Sequence, residues 1–311
     1  MSITRLRYFC VVAETENMTR AAEQLHIAQP SLSKHIMRLE EELGTALFDR
    51  TPARISLNEF GKLYLPYVKE ALSLLDRGEA TVKQASGDKT IALRVVSTFV
   101  GLPSIMMERY YLEHPGHYLR MDHCATPRGA SLLLDGKVDF VLSLFPFEHP
   151  PQVAQEIIGT EDIVIEFPED RILPNAAVNL RDYAGDRFFL FESDLDMREI
   201  THSICSTAGF TPNIVYENDD ARRIPEMLDA ANALAFTPCH KAAAICRDDV
   251  HSFPRFRSVN SPKCSRTFYL SYYKDALMSQ DFRMFYEYTL NFFTSIQGEL
   301  DACSAQFRLQ N

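Results

Sequence analysis

The stretch Gln29-Pro30-Ser31-Leu32-Ser33-Lys34-His35-Ile36-Met37-Arg38-Leu39-Glu40-Glu41-Glu42-Leu43-Gly44 decides the fold. Leu32, Ile36, Leu39 and Leu43 recur at steps of four, three and four, which makes one face of an α-helix. Pro30 falls in the first turn, where the amide it lacks has no intrahelical partner, and Gly44 offers the left-handed residue on which helices commonly stop. With the apolar face turned inward, the N-terminal corner presents Gln29, Pro30, Ser33, Lys34 and Met37, while Glu40, Glu41 and Glu42 follow two to three turns later. Such a corner fits a major groove: glutamine reads adenine edges, lysine reads guanine edges, and proline or methionine touches a thymine methyl. Free N–H groups and the positive helix end also favour nearby phosphate. Taken alone, the same residues fit an ordinary solvated helix face, so the surroundings carry the weight.

Upstream, Leu6, Phe9, Cys10, Val12 and Ala13 mark a helix over residues 4 to 16, and Asn17 can cap a short second helix holding Ala21, Ala22 and Leu25. His26-Ile27-Ala28 leaves room only for a sharp turn into the third helix. Downstream, Leu47-Phe48 and Ile55-Ser56-Leu57 flank a loop containing Arg50 and Arg54, the pattern of a β-wing. A long helix then runs from Asn58 to about Ser86. It carries two adjacent apolar stripes, Phe60, Tyr64, Tyr67, Ala71, Leu74 and Leu65, Val68, Leu72, Leu75, Val82. Near-heptad spacing predicts a second long helix as partner, most simply the same helix of another subunit; packing on its own C-terminal domain is the alternative. Pro66 is placed to bend it.

Past Ser86-Gly87-Asp88-Lys89, which reads as a hinge, strands alternate with helices. The expected order is strand Ile91–Ser97, helix Leu102–Glu113, strand Tyr118–His123, helix Pro127–Leu134 and strand Val138–Leu144. A second set begins near Asp162, with strand Phe188–Phe191, helix Arg198–Ala208, strand Asn213–Glu217, helix Ala221–Ala231 and strand Leu234–Phe236. A last strand, Thr267–Tyr273, precedes a helix from about Ser279 to Ile296. Alternation of this kind predicts parallel α/β sheets in two similar lobes with a crevice between them. Ser97 and Thr98 close the first strand before a helix and Thr126 closes the second, so hydroxyls and free N–H groups converge there; Ser193 opens the facing loop. Capping of the helices is an equally good reading of any single one of these hydroxyls. Glu192, Asp194 and Asp196 surround Ser193 and would repel a carboxylate ligand, leaving a cationic or neutral one open.

The chain has 311 residues, is 46 % apolar and carries a formal charge of −10. As an average that charge opposes nucleic acid, yet residues 1 to 60 hold seven Lys/Arg against eight Asp/Glu, so the excess lies downstream. Apolar runs such as Leu132–Leu134 fall far short of the roughly 20 residues a membrane span needs, and no signal-peptide core is visible, which predicts a cytoplasmic protein. Seven cysteines with no C-x-x-C pair argue against a disulfide framework and a zinc knuckle.

Residues Thr19 to Ile36, followed by Leu39 to Arg50, resemble the winged helix-turn-helix of LysR-type transcriptional regulators; the signal is strong over residues 1 to 65 and weaker to about 295. The resemblance implies a winged helix-turn-helix over residues 1–58, all-α apart from its wing. It also implies a linker helix and hinge over 59–88 that pairs in an antiparallel dimer. Residues 89–311 would form a two-lobed α/β effector domain like type 2 periplasmic binding proteins, lobe I about 89–161 and 266–311, lobe II about 162–265. It implies a homodimer or homotetramer, operator DNA and RNA polymerase as partners, no cofactor, no membrane, and a small-molecule effector. Carried onto matching positions, Gln29, Pro30, Ser33 and Lys34 read bases, with Thr19, Arg20 and Ser31 also at the DNA; Arg50 and Arg54 meet phosphate or minor groove. Ser97, Thr98, Thr126 and Ser193 line the effector site, Thr126 standing ten residues before Gly136 as the family's pocket hydroxyl does. Departures are Ala28, where many relatives have a capping serine, and Ala231-Asn232-Ala233, where relatives show a glycine-rich turn; asparagine tolerates the left-handed conformation.

Three other readings compete. Ser31-Leu32-Ser33-Lys34 matches the Ser-x-x-Lys of some hydrolases, but neither the Ser-Asp-Asn nor the Lys-Thr-Gly partner triplet lies downstream. A thiol-based redox regulator would centre on Cys205, which has no cysteine near it in sequence. A plain solute-binding protein would share the crevice but has no use for the N-terminal module. Absent metal and nucleotide motifs also speak against an enzyme.

Overall fold

The computed structural model describes residues 2–50, 55–85, 93–117, 119–173, 177–190, 195–217, 224–248, 255–278 and 280–308. The expected hinge at Ser86-Gly87-Asp88-Lys89, Arg54 and Ser193 lie outside these residues. The chain divides into two compact units, residues 1–91 with 131–137, and residues 92–130 with 138–311.

The first unit begins with α1 (Ile3–Thr15), α2 (Met18–Gln24) and α3 (Gln29–Leu43), followed by β1 (Phe48–Arg50), β2 (Ile55–Leu57) and α4 (Glu59–Ala85). α3 occupies the span its periodicity predicts and stops at Gly44, whose φ of 71° is left-handed. β1 and β2 pair antiparallel with Phe48 opposite Leu57 and Arg50 opposite Ile55, forming the wing. Phe9, Val12, Leu32, Ile36 and Leu39 are fully buried and meet Leu47, Phe48 and Ile55 of the wing in one core. The Phe9 ring stands edge-on to Phe48 at 5.5 Å.

Asn58 fastens the start of α4. Its backbone N–H donates to the Leu47 carbonyl (3.1 Å), its side-chain amide donates to the Ala46 carbonyl (2.8 Å), and its Oδ1 accepts from the Gly61 N–H (2.8 Å). The approach is close enough that a Cβ on Gly61 would sit 2.1 Å from the Leu47 carbonyl oxygen and 2.6 Å from Leu57 Cδ2. α4 continues through Pro66 as one helix of 27 residues. Its two stripes have different fates. Val68 and Leu72 are buried in the N-terminal core with Tyr64 and Leu65 beside them, because the short wing returns the chain alongside α1. Phe60, Leu63, Tyr67 and Leu74 stay exposed, and so do Leu75 and Val82, which the periodicity had grouped with the buried stripe.

In the second unit β3 (Leu93–Ser97), α5 (Leu102–Glu113), β4 (Leu119–His123), α6 (Thr126–Leu134) and β5 (Phe140–Ser143) alternate as expected. β6 (Val153–Glu166) and the two-residue β7 (Val178–Asn179) follow, then β8 (Arg187–Leu190), α7 (Leu195–Thr207), β9 (Asn213–Glu217), α8 (Ile224–Ala231) and β10 (Ala233–Pro238). α9 (Cys239–Asp248), β11 (Phe256–Ser261), β12 (Ser265–Tyr273) and α10 (Gln280–Arg308) complete it. Among the described residues the parallel pairings are the triplets β4-β3-β5 and β9-β8-β10 and the short pair β7-β11. β12 and β6 join them antiparallel into one ten-stranded sheet, so the expectation of purely parallel sheets is corrected. The parallel strands are short, and β5 and β10 are buried along their whole length, as strands covered on both faces must be, whereas β4 at the sheet edge is largely exposed. β6 was missed because Gln155, Glu156, Gly159, Thr160, Glu161 and Asp162 break any apolar alternation. Asn232 adopts φ 46° between α8 and β10, the left-handed conformation anticipated for it. No helix among the described residues is long and apolar enough to cross a membrane.

Candidate nucleic-acid interface and effector crevice

The helix-turn-helix is set by its caps. The Asn17 side chain accepts from the Thr19 and Arg20 N–H groups, 3.0 Å each, which starts α2 and leaves both side chains exposed. His26, at φ 51°, makes the turn, and Ala28 precedes α3 with no side-chain cap. Gln29, Pro30, Ser31 and Lys34 are exposed and Ser33 is half-buried, opposite the fully buried Leu32, Ile36 and Leu39. Arg38, exposed one turn beyond Lys34, extends the basic edge, as its i+4 spacing from Lys34 in the sequence allows. His35 is not turned outward but packs edge-on against Tyr8 at 5.1 Å.

The acidic end of α3 has its own work. Glu40 accepts from the Leu47 N–H (2.9 Å) and the Phe48 N–H (3.3 Å) and pairs with Arg50 (2.6 Å), tying the wing to the helix. Glu42 pairs with Arg5 of α1 at 2.5 Å, a hydrogen bond that lowers the Glu42 pKa. These carboxylates are therefore structural ties as well as groups kept from a polyanion. Arg50, predicted to face phosphate, is exposed and shares its charge with Glu40.

In the second unit two of the residues expected at the effector crevice, Thr98 and Thr126, converge on a carboxylate. Thr126 is the first residue of α6 rather than the end of β4, which stops at His123. Its hydroxyl donates to Asp196 Oδ2 (2.6 Å) and its backbone N–H to Oδ1 (3.2 Å). The Thr98 hydroxyl also donates to Oδ2, and Thr98 Oγ1 accepts from the Leu144 N–H at 3.3 Å. Thr98, Thr126 and Asp196 are all buried. Ser97 is not part of this group: its hydroxyl donates to the Phe99 carbonyl at 2.7 Å. Asp196, one of the carboxylates expected to repel a carboxylate ligand, is the acceptor on which the two threonines close.

A second buried group lies beside it. Glu161 of β6 accepts from Arg266 Nε (2.9 Å) and Nη2 (2.8 Å), and its other oxygen meets the His240 N–H (2.7 Å) and Nδ1 (2.6 Å) at the start of α9. Burial alone would raise the Glu161 pKa, but Arg266 and His240 overcome it and hold it at about 2. The Arg266 guanidinium also lies over Phe99 and Phe268, 5.6 and 5.2 Å from the ring centres. Nothing in the sequence flagged this cluster, whose members are scattered along the chain.

A family model described as a bacterial regulatory helix-turn-helix protein of the lysR family matches residues 3–62, and one described as the LysR substrate binding domain matches residues 86–293. The chain belongs to the LysR family. It is a DNA-binding transcriptional regulator of the LysR type with an effector-binding domain, and not an enzyme. Over 312 residues it is 28 % identical to the transcriptional dual regulator GltC of Bacillus subtilis (strain 168), covering 96 % of this chain and 99 % of that one. It is 26 % identical to the regulator BenM of Acinetobacter baylyi, over 76 % of this chain and 80 % of BenM. Among solved structures, a cysteine-to-aspartate variant of full-length OxyR from Pseudomonas aeruginosa aligns with a TM-score of 0.59 at 20 % identity over 94 % of both chains. CbnR aligns with a TM-score of 0.52 at 21 % identity, over 96 % of this chain and 99 % of CbnR. At these identities the two structures speak for the fold alone.

This LysR-type regulator keeps all seven of its cysteines as free thiols. Cys205 is fully buried, and burial pushes its pKa up to about 12. A thiol sensor needs an exposed thiolate, so Cys205 has the opposite environment.

Proposed function

We propose that α3 enters the major groove of an operator, with Gln29, Pro30, Ser33 and Lys34 reading bases. Thr19, Arg20 and Ser31 then contact the sugar-phosphate backbone, and the wing arginines Arg50 and Arg54 meet phosphate or minor groove, Arg50 sharing its charge with Glu40. Residues 1–58 serve as the DNA-binding domain, 59–88 as linker and hinge, and 89–311 as effector domain, with Ser97, Thr98, Thr126 and Ser193 around the crevice. The chain works in the cytoplasm, where it acts on RNA polymerase. One observation carries the DNA reading: the polar, basic N-terminal corner of α3 is exposed opposite a fully buried apolar face. On a duplex selected by the wild-type protein from a random pool, Gln29→Ala and Lys34→Ala should each lower affinity in gel shifts by roughly tenfold to a hundredfold, as expected for a lost base contact. Circular dichroism should be unchanged. Equal affinity of both variants and the wild type would refute the assignment.

The exposed stripe of α4 supports a homodimer, or a homotetramer built from it. Phe60, Leu63, Tyr67 and Leu74 lie along one side of 27 helical residues, an apolar face of the kind that coiled-coil partners cover. Tyr67→Glu combined with Leu74→Glu should move the protein to a smaller species in sedimentation velocity while the N-terminal core stays folded. An unchanged sedimentation coefficient would place the interface elsewhere.

A further inference from the structure

Asp196 is 2 % exposed, and every hydrogen bond it makes comes from an uncharged donor: the Thr98 hydroxyl, the Thr126 hydroxyl and the Thr126 N–H. Among the described residues no Lys, Arg or His pairs with it. A buried carboxylate costs free energy unless its oxygens are fully bonded, and here two hydroxyls and the first amide of α6 do that. The donors come from the β3 end and from α6, whereas the carboxylate comes from the first turn of α7. Thr98, Thr126 and Asp196 thus form a carboxylate cradle already filled by a carboxylate of the same chain.

We propose that Asp196 is the resident occupant of this cradle and sets the charge of the effector. The wild-type protein then takes no free carboxylate at Thr98 and Thr126, and it recognises a ligand that is neutral or cationic where it meets Asp196. Truncating Asp196 turns the same donors into a receptor for a small monocarboxylate. The inference rests on the reading of this crevice as the effector site. It is specific to the side chain at 196, since the donors belong to other elements.

The test is thermal unfolding of the full chain in sodium acetate against sodium chloride at matched ionic strength. Asp196→Ala should show a saturable, acetate-specific rise in Tm of about 2–4 °C or more. The wild type and Asp196→Asn, whose amide still fills the space, should show none, and Asp196→Ala combined with Thr126→Val should lose the rise. A folded Asp196→Ala with no acetate response, or equal responses in it and the wild type, overturns the proposal. Should Asp196→Ala fail to fold, the wild type decides alone: acetate-specific stabilisation that Thr126→Val removes would show the cradle open and the proposal wrong, and its absence would support a filled cradle. Gel shifts on the wild type report separately on DNA binding, so failure of the regulator reading and failure of this one are distinguishable.

Discussion

Glu161→Ala is expected to destabilise the C-terminal unit by about 3–5 kcal/mol, the usual loss when one partner of a buried ion pair is removed. Glu161 and Arg266 are 2 % and 3 % exposed, so the variant would leave the guanidinium buried without its carboxylate and the His240 N–H without its acceptor. Arg266 lies over Phe99 and Phe268, which stack on each other, and this packing opposes an easy escape to water. Urea titration of the wild type and variant, followed by the far-ultraviolet signal, measures the difference. A loss below about 1 kcal/mol would mean that water reaches the site.

The same group gives the protein a defined acid sensitivity. Because the Glu161 pKa is held at about 2, below the ordinary carboxylate range, its contribution is fully present above the unfolded-state pKa of about 4.3. That contribution is lost as the pH falls from there through about 2. Glu161→Gln should therefore flatten the fall of stability with pH in this window, while the wild type keeps its slope.

Gly61→Ala has the second large effect, on the other unit. Alanine inside a helix normally gains up to about 1 kcal/mol over glycine. Here the new methyl would lie 2.1 Å from a backbone oxygen that is itself fixed by the Asn58 N–H, so the clash cannot be relieved by a side-chain rotation. The net loss is expected at about 3 kcal/mol, as for severe overpacking. Displacement of the wing should weaken operator binding in step. Gly78→Ala in the same helix, with nothing within 4 Å of the added methyl, is the control and should be neutral or mildly stabilising. Equal stability of the two variants would show that α4 is not seated against Leu47.

The N-terminal half could be read from sequence because its signals are local. Leu32, Ile36 and Leu39 repeat at helical spacing, Asn17 and Gly44 are caps, and each is correct in the structure. β3, β5, β8 and β10 were found for the same reason, as short, largely apolar runs between helices. What escaped was long-range. β6 has no single amphipathic pattern because its surroundings change along its length: residues 153–162 meet β12 and residues 163–166 meet β10 and β11. The partnership of Asp196 with Thr98 and Thr126 spans 98 and 70 residues, so the sequence showed an acidic cluster but not the hydroxyls that hold it. Glu161, His240 and Arg266 could not be associated by spacing at all.

β6 belongs to both halves of its sheet. Two panels that share this rail, and are joined a second time where β11 runs on into β12, are coupled through backbone ladders rather than through a bare linker. Torsion of β6 is then one route by which a change in one panel would reach the other. The ladder already yields at one place, where the β12 register shifts between Phe268 and Tyr269 opposite Gly159 and Ile157, two residues from Glu161.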